Sequence, residues 1–187
     1  MSSLNQKRSG ILYWPSIYFS FKKHRIYRMS KISFRPVTED NWNAVVQLYA
    51  GKEGSKHVAP NTHTVVEAFA SGLSDGLNAI YANKILIGLV WYRQWNKRWP
   101  GIIFISRFML DEKFQGKGLG TLVFGAILRR ILRTCSPDSI WISADSEIAL
   151  HIYRKAGFVE RTDKTGIEFK RRFKETLLCL KNETEAI

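Results

Sequence analysis

The sequence predicts a mixed α/β fold in a single domain, and three features of the chain lead to this class. Several runs of strand length alternate apolar and polar residues, whereas other segments place apolar residues at helical spacing behind capping residues. These segments follow one another in the order β α α β β β α β α β β, without an internal repeat. The length of 187 residues suits one hydrophobic core.

The first half of the domain is predicted to place two helices between its first strand and a pair of strands. KISFRPV alternates as a strand that Pro36 ends. Thr38 is expected to cap a helix in TEDNWNAVVQLYA. A second helix in APNTHTVVEAFASGL is expected to begin with Asn61 or Thr62 as its cap. NAIYAN and ILIGLVWYRQW indicate two strands joined by a short Asn-Lys turn.

The second half alternates strands and helices. GIIFISRFMLD predicts a longer strand, and GLGTLVFGAILRRILRTC predicts a helix whose last turns carry basic residues that complement the helix dipole. SIWISAD is predicted as a strand and SEIALHIYRKAG as a helix that ends in glycine. FVERT is then expected to form a strand, and FKETLLCL contains the last strand.

The composition bounds the class of protein. The chain is 45% apolar and 24% charged, as in soluble globular proteins, and no apolar run approaches the ~20 residues of a membrane span. Two cysteines, Cys135 and Cys179, are too few for a disulfide framework and fit a reducing cytoplasm. The four histidines are scattered and no zinc-ligand spacing is present. We therefore expect a cytoplasmic protein with neither a metal site nor a membrane partner.

The charge is unevenly distributed. Of the formal net charge of +13, residues 1–28 supply +6 and contain no acid, so that +7 remains for the rest of the chain. A diffuse excess of this size fits a polyanionic ligand as well as a nucleic-acid duplex. Because no nucleic-acid-binding motif is evident, no nucleic-acid partner is expected.

Residues 1–28 are predicted to be an extension, and residues 29–187 the functional domain. The extension mixes aromatic and basic residues without a period and lacks the apolar core of a secretory signal. It is interpreted as a poorly ordered tail or an over-called start, with Met29 as the natural start; an organelle presequence is the alternative. A native protein whose intact mass begins at Met1 would contradict the over-called start.

Three glycines fall at alternate positions between the longer strand and the helix that follows it, at residues 116, 118 and 120. A phosphate-binding P-loop would need a glycine where Asp111 stands, and a dinucleotide fold would need one where Thr121 stands. The remaining scheme is a tight turn before a helix N-terminus whose amides face a phosphate, with Lys117 adding charge. A simple strand–helix turn with glycines for packing remains the alternative.

Two motifs carry a family resemblance. Gln115-Gly116-Lys117-Gly118-Leu119-Gly120 matches the signature Q/R-x-x-G-x-G/A, and ALHIYRKAGF at residues 149–158 is similar to a second conserved segment. Over residues 31–180 the chain resembles the GNAT superfamily of N-acetyltransferases. HVAPN, SRFMLDEKFQGKG and FRPVTEDNW are further similar to bacterial diamine/spermidine N-acetyltransferases. The resemblance implies a mostly antiparallel twisted sheet flanked by helices and splayed between its fourth and fifth strands.

The resemblance also implies roles for named residues, with acetyl-CoA as the acyl donor. The backbone amides from Gln115 through Thr121, which include those of Gly116, Lys117, Gly118, Leu119 and Gly120, would hold the pyrophosphate. Met109 and Leu110 would pair with the pantetheine arm. The N–H of Phe108 would polarise the thioester carbonyl, and Tyr153 would protonate the departing thiolate. Without the motif, Tyr153 would be interpreted as a core aromatic residue.

Two positions depart from the family pattern. Many members carry a general-base glutamate on the strand before the glycine turn, and its place here is taken by Phe104, with Ser106 and Arg107 nearby. Deprotonation of the amine would then use ordered water or a carboxylate elsewhere. Ser146 replaces an asparagine that often contacts the cofactor and caps the helix; serine can still cap.

The acceptor is expected to be a small primary amine such as a polyamine. Glu53, Glu67 and Glu168 are acids that could border its cleft, and Arg107 could bind an acceptor carboxylate or form a structural ion pair. Amino acids, aminoglycosides and protein N-termini are alternative acceptors. Rival interpretations are an acetyl-CoA-binding module without turnover and a nucleic-acid binder that uses the basic extension. A homodimer is one assembly that the sequence allows.

Overall fold

The computed structural model describes residues 31–182, so the predicted extension lies outside the described residues. The strands are β1 (Ile32–Pro36), β2 (Leu77–Ala82), β3 (Ile85–Asn96), β4 (Trp99–Leu110), β5 (Ser139–Ala144), β6 (Val159–Glu160) and β7 (Thr176–Lys181). The helices are α1 (Trp42–Val46), α2 (Gly51–Gly54), α3 (Asn61–Ala70), α4 (Leu119–Cys135), α5 (Glu147–Lys155) and α6 (Lys164–Phe173). Short 3₁₀ turns at Ser74–Gly76 and Glu112–Phe114 complete the connections.

The described residues form a seven-stranded sheet in the order β1-β2-β3-β4-β5-β7-β6. Neighbouring strands pair antiparallel, except for β4 and β5, which pair in parallel. Helix α4 makes the crossover that a parallel pair requires. The predicted class, a mixed α/β fold with a mostly antiparallel sheet flanked by helices, is confirmed.

The two faces of the sheet are covered by different helices. Helices α4 and α5 bury an apolar stripe on one face, where Phe124, Ile127 and Leu150 pack against strand residues such as Val90 and Ile142. The opposite face holds two smaller clusters. One lies under α1 and α3, and the other lies under α6. The sheet is therefore sandwiched between helical layers that differ on its two sides.

The order of elements differs from the prediction by two helices. Helix α2 spans four residues, a length below what hydrophobic periodicity can indicate. Helix α6 lies between β6 and β7, in a segment for which no helix was predicted. Its sequence is strongly polar and basic, Gly166 is its one buried residue, and its apolar residues are only Ile167, Phe169 and Phe173, so the periodic signal is weak. The signal that could have indicated it is Asp163, whose carboxylate accepts a hydrogen bond from the N–H of Gly166 as an N-cap.

The predicted helix caps in the first half were wrong. Helix α1 begins at Trp42 rather than after Thr38, because the Asn41 amide closes the preceding turn through bonds to Thr38 N and Pro36 O. Helix α3 begins at Asn61, and its cap residue is Pro60. The Asn61 side chain is instead buried and donates to the carbonyl groups of the α1 segment. Its polar group serves packing between helices rather than capping.

Candidate active site

Strands β4 and β5 separate along their length. Their parallel register runs from Ile102–Ser139 to Ile105–Ile142 and ends there. Strand β4 continues to Leu110, paired only with β3, whereas β5 continues to Ala144, paired only with β7. The predicted splay is therefore present between the fourth and fifth strands. It leaves a cleft into which main-chain groups of β4 can face.

A β-bulge in β4 coincides with the start of this cleft. Arg107 pairs with Trp91 and Ile105 pairs with Tyr92, so that Ser106 is the extra residue. Beyond the bulge, Asp111 N–H donates to Ile87 O. Since hydrogen-bonded and non-bonded pairs alternate along an antiparallel ladder, the main-chain groups of Phe108 and Leu110 face away from β3, towards the cleft.

The same alternation turns the main-chain groups of Met109 towards β3. The Met109 side chain is 5% exposed and lies in the cluster under α1 and α3. The Leu110 carbonyl does accept a hydrogen bond from the Gln115 side chain, as expected for a group on the cleft side. Of the two residues predicted to pair with the pantetheine arm, Leu110 is thus the better placed.

The glycine turn joins β4 to α4 with two left-handed residues. Gly116 has φ +70° and Gly118, the N-cap of α4, has φ +73°. Such angles strain residues that carry a Cβ, although a Cβ at either position would meet no atom within 4 Å. The third glycine differs: a Cβ at Gly120 would lie 3.2 Å from Ile152 Cδ1. Two glycines therefore serve the turn, and one serves the packing of α4 against α5.

Two side chains of this turn bond to main-chain carbonyl groups and not to the amides at the start of α4. The Gln115 amide donates to Ala50 O at 2.9 Å and to Leu110 O at 2.8 Å. Lys117 Nζ donates to Lys113 O at 3.0 Å. No side-chain group in residues 31–182 caps the N-terminus of α4. Helix α4 is 17 residues long, so the uncapped N–H groups of Leu119, Gly120 and Thr121 carry its positive dipole end.

Helix α5 places the two remaining predicted residues. Ser146 is its N-cap residue, yet within the described chain its hydroxyl makes no capping hydrogen bond, so that part of the prediction was wrong. Tyr153 lies two turns later and is 6% exposed. Its ring packs 4.8 Å from that of Phe124, which in turn lies 5.6 Å from the ring of Phe108. Tyr153 is thus linked by tilted ring contacts to the strand that borders the cleft.

Burial raises the pKa of the Tyr153 hydroxyl well above its ordinary value of 10.0, and the charge of Glu175 raises this pKa further. Among residues 31–182 the structure gives that hydroxyl no hydrogen-bond partner. Tyr153 therefore stays protonated at neutral pH and has a proton to give.

A band of polar side chains crosses the face of the sheet opposite α4 and α5. It separates the cluster under α1 and α3 from the cluster under α6. Arg93 Nε donates to Ser106 Oγ at 3.0 Å, and the Ser143 hydroxyl donates to Glu175. We call this set, which comprises Arg93, Ser106, Arg107, Ser143 and Glu175, the polar strip. It borders the cleft because Ser106 and Ser143 flank the point where β4 and β5 part.

Arg107 in the polar strip is incompletely satisfied. Its Nη1 donates to Ser106 O at 2.7 Å, and its Nη2 lies 3.5 Å from Glu67 on α3. Its buried Nε has no hydrogen-bond partner in the described part of the chain. The ion-pair interpretation of Arg107 thus holds, with one donor left over.

The three predicted acids differ in position. Glu67 contacts Arg107 and lies 3.6 Å from His63. Glu53 is 79% exposed and pairs with Lys56, and Glu168 is exposed on α6. Only Glu67 among them contacts a residue of the polar strip.

Phe104 lies inside an aromatic cluster. Its ring is 4.8 Å from Trp95 and 6.3 Å from Phe169 of α6, and the residue is 7% exposed. A carboxylate at this position would be buried among rings without a partner, at a cost of several kcal/mol. Helix α6 covers this position, so the glutamate expected from the resemblance would be unfavourable here.

The structure also shows contacts that the sequence did not indicate. His57, before α3, lies with Nδ1 2.8 Å from Asp145 Oδ1, across 88 positions of chain. Asp111, 7% exposed, accepts from Tyr49 N and Lys113 N, and so ties the end of β4 to the α1–α2 segment. Glu175 is the third such residue. Each lies in a loop or at a strand end, where sequence periodicity carries no information.

Comparison with known proteins identifies the family. A sequence profile of the acetyltransferase (GNAT) family matches residues 42–158, more than half of the chain, and the chain belongs to this family. It is 27% identical over 142 residues to the spermine/spermidine N(1)-acetyltransferase of Bacillus subtilis (strain 168), covering 68% of this chain and 87% of that protein. The predicted enzyme class, an acetyl-CoA-dependent N-acetyltransferase, is thereby confirmed.

Solved structures share the fold. An acetyltransferase of Bacillus subtilis in complex with CoA matches with a TM-score of 0.57 at 18% identity, over 82% of this chain and 99% of that one. The aminoglycoside acetyltransferase AAC(6′)-Ib in complex with coenzyme A matches with a TM-score of 0.61 at 16% identity, over 82% and 96% of the two chains. At such identities the likeness concerns the fold alone.

Two kinds of feature are absent from the described residues. Helices long and apolar enough to cross a bilayer are absent from residues 31–182. The same residues contain no group of three or more His, Cys, Asp or Glu side chains arranged to hold a metal ion.

Proposed function

We propose that the protein transfers an acetyl group from acetyl-CoA to a small primary amine, by direct attack within a ternary complex. The observation that carries this proposal is the parting of β4 and β5 beside the uncapped N-terminus of α4. A thioester arm and an anionic head group can enter together at this place. The amine then reaches the thioester from the other face of the sheet, where the polar strip lies.

Cofactor binding depends on main-chain groups. The amides from Gly116 through Thr121 bind the pyrophosphate, because a helix N-terminus offers free N–H groups and a partial positive charge, whereas the Gln115 N–H already donates to Glu112 O at 3.1 Å. The pantetheine arm extends along β4 and pairs with Leu110 as an added strand would. The uncommitted hydroxyl of Ser146 is available to the same arm. Lys117 contributes charge rather than a fixed contact.

Two groups act on the thioester. The Phe108 N–H donates to the thioester oxygen as negative charge develops there, a kind of contact that lowers a barrier by about 3 kcal/mol. Tyr153 gives its proton to the CoA sulfur as the C–S bond breaks. Its pKa is raised above 10.0, so the hydroxyl carries the proton at neutral pH, and the thiolate that forms beside it is the group that draws this proton away.

A polyamine is the acceptor that the curated relatives support. Both are described as acting on spermine or spermidine, although at 27% and 26% identity. Glu67 and Glu175 supply negative charge beside the cleft. A second candidate acceptor, an amine that also carries a carboxylate, is favoured by the unsatisfied donor of Arg107. We place the reaction in the cytoplasm.

An acetylation screen tests the proposal. Release of free CoA thiol is measured with polyamines, amino acids, aminoglycosides and peptide N-termini, alongside calorimetry of acetyl-CoA binding. Turnover highest with spermidine supports the polyamine acceptor, and turnover highest with an amino acid supports the second candidate. Binding without turnover on any amine would reduce the protein to a cofactor-binding module. Duplex affinity that falls steeply with salt and is lost without residues 1–28 would support the nucleic-acid rival.

A further inference from the structure

We propose that Glu175 is the general base of the reaction: its carboxylate takes the proton from the acceptor ammonium before the amine attacks. This inference rests on the proposed function and supplies the group that Phe104 does not. The family profile ends at residue 158, before Glu175.

The backbone places Glu175 at the mouth of the cleft. Ala144 and Thr176 form the last pair of β5 and β7. Glu175 is the residue immediately before β7. On β5, Ser143 lies beyond Ile142, the last residue that still pairs with β4. The Ser143 hydroxyl donates to Glu175 Oε2 and so fixes the carboxylate at the point where the two strands have parted.

The carboxylate lies on the acceptor side of the sheet. Ser143 alternates along β5 with Ile142 and Ala144, which face the core under α4 and α5, so Ser143 faces the opposite way. The glycine turn and Tyr153 belong to the α4–α5 side. The charge of Glu175 nevertheless reaches the Tyr153 hydroxyl, since it contributes to the raised pKa of that group. A base and an acid thus approach the same gap from its two faces.

The Glu175 carboxylate has no cationic partner within the described chain. Among residues 31–182 its side chain bonds to Ser143 and pairs with no lysine, arginine or histidine. By contrast, Glu67 contacts Arg107 and His63, and Asp145 contacts His57. A half-buried, unpaired carboxylate attracts an ammonium and can accept a proton from it.

The proton and electron balance closes without another reactant. Glu175 removes one proton from R–NH₃⁺ and later releases it to solvent. The amine lone pair forms the C–N bond, and collapse of the tetrahedral adduct breaks the C–S bond. Tyr153 gives its proton to the sulfur and regains one from the nitrogen. The products are the N-acetylated amine, CoA thiol and one proton.

The test compares Glu175→Gln with wild-type protein on two acceptors. These are the best alkylamine of the acetylation screen and its β,β-difluorinated analogue, both assayed at about pH 8.5, where the fluorinated nitrogen is largely unprotonated and that of the alkylamine is not. Gln keeps the shape and can still accept from Ser143. We expect kcat with the alkylamine to fall about 100-fold or more and kcat with the fluorinated amine to fall less than about tenfold. Acetyl-CoA affinity should not change.

The matched control is Asp138→Asn, an exposed carboxylate immediately before β5, at the far end of the strand from Glu175; it should leave both rates unchanged. If Glu175→Gln does not fold, Ser143→Ala should lower the alkylamine rate about fivefold by freeing the carboxylate. Equal losses on both amines, or Glu175→Gln rates within about threefold of wild type, would overturn the assignment. A wild-type protein that acetylates no amine refutes the proposed function instead.

Discussion

At the scale of single residues, the environment of Tyr153 decides its chemistry. The residue is 6% exposed among aromatic rings, and both its burial and the charge of Glu175 favour the protonated hydroxyl. Either a core aromatic or an acid would satisfy the helical pattern in which Tyr153 occurs. The hydroxyl has no hydrogen-bond partner in residues 31–182, whereas a buried structural tyrosine usually finds one.

Tyr153→Phe should therefore lower kcat by about 100-fold while leaving acetyl-CoA affinity nearly intact, because the ring contacts with Phe124 remain. Steady-state thiol release and calorimetry measure the two quantities. An unchanged kcat would remove Tyr153 from the mechanism, and a loss of cofactor affinity alone would assign it a packing role.

The same hydroxyl links stability to pH. Since the folded-state pKa lies above the ordinary value of 10.0, folding favours the protonated form. Its contribution is complete below pH 10 and is lost progressively as the pH rises above that value. The urea midpoint of wild-type protein should thus fall more steeply between about pH 10 and 11.5 than that of Tyr153→Phe. Parallel curves for the two proteins would contradict this linkage.

At the scale of elements, helix α4 has glycines in two distinct settings. Gly118 ends the turn with φ +73°, whereas Gly125 lies within the helix, where a Cβ would meet only Arg129 Nη1 at 3.6 Å. The first glycine is required by the backbone angle. The second lowers helix stability without serving the turn.

Gly118→Ala should cost about 1–2 kcal/mol of unfolding free energy and weaken acetyl-CoA binding, because the left-handed angle strains alanine. Gly125→Ala is the matched control and should add about 0.5–1 kcal/mol without affecting binding. Urea unfolding and calorimetry on both variants provide the measurements. A Gly118→Ala protein as stable as wild type would show that the turn tolerates a side chain.

At the scale of the whole molecule, the sequence predicted the strands and the cofactor side better than the acceptor side. Periodicity and turn signals located the central strands and α4, since these elements bury long apolar stripes. The glycine turn was predictable because its signal is local. Helix α6 was not, because it presents few apolar residues, and its effect on Phe104 arises only when distant segments meet.

The same distinction applies within the site. Tyr153 and Phe108 were named from contiguous motifs. Glu175, Ser143 and the His57–Asp145 contact join segments far apart in the chain, so no local pattern indicates them. The register that ends at Ile105 and Ile142 brings them together.

The separation of β4 from β5 leaves the sheet with a place for a guest strand. A narrow ligand whose amides have the spacing of a β-strand can bind there and form the main-chain hydrogen bonds that a neighbouring strand would form. Free pantetheine, although it lacks the nucleotide, should consequently raise the melting temperature, with a gain of about 2.7 kcal/mol at a hundredfold excess over its Kd. Cysteamine, which has the thiol but no amide, should not shift the melting curve.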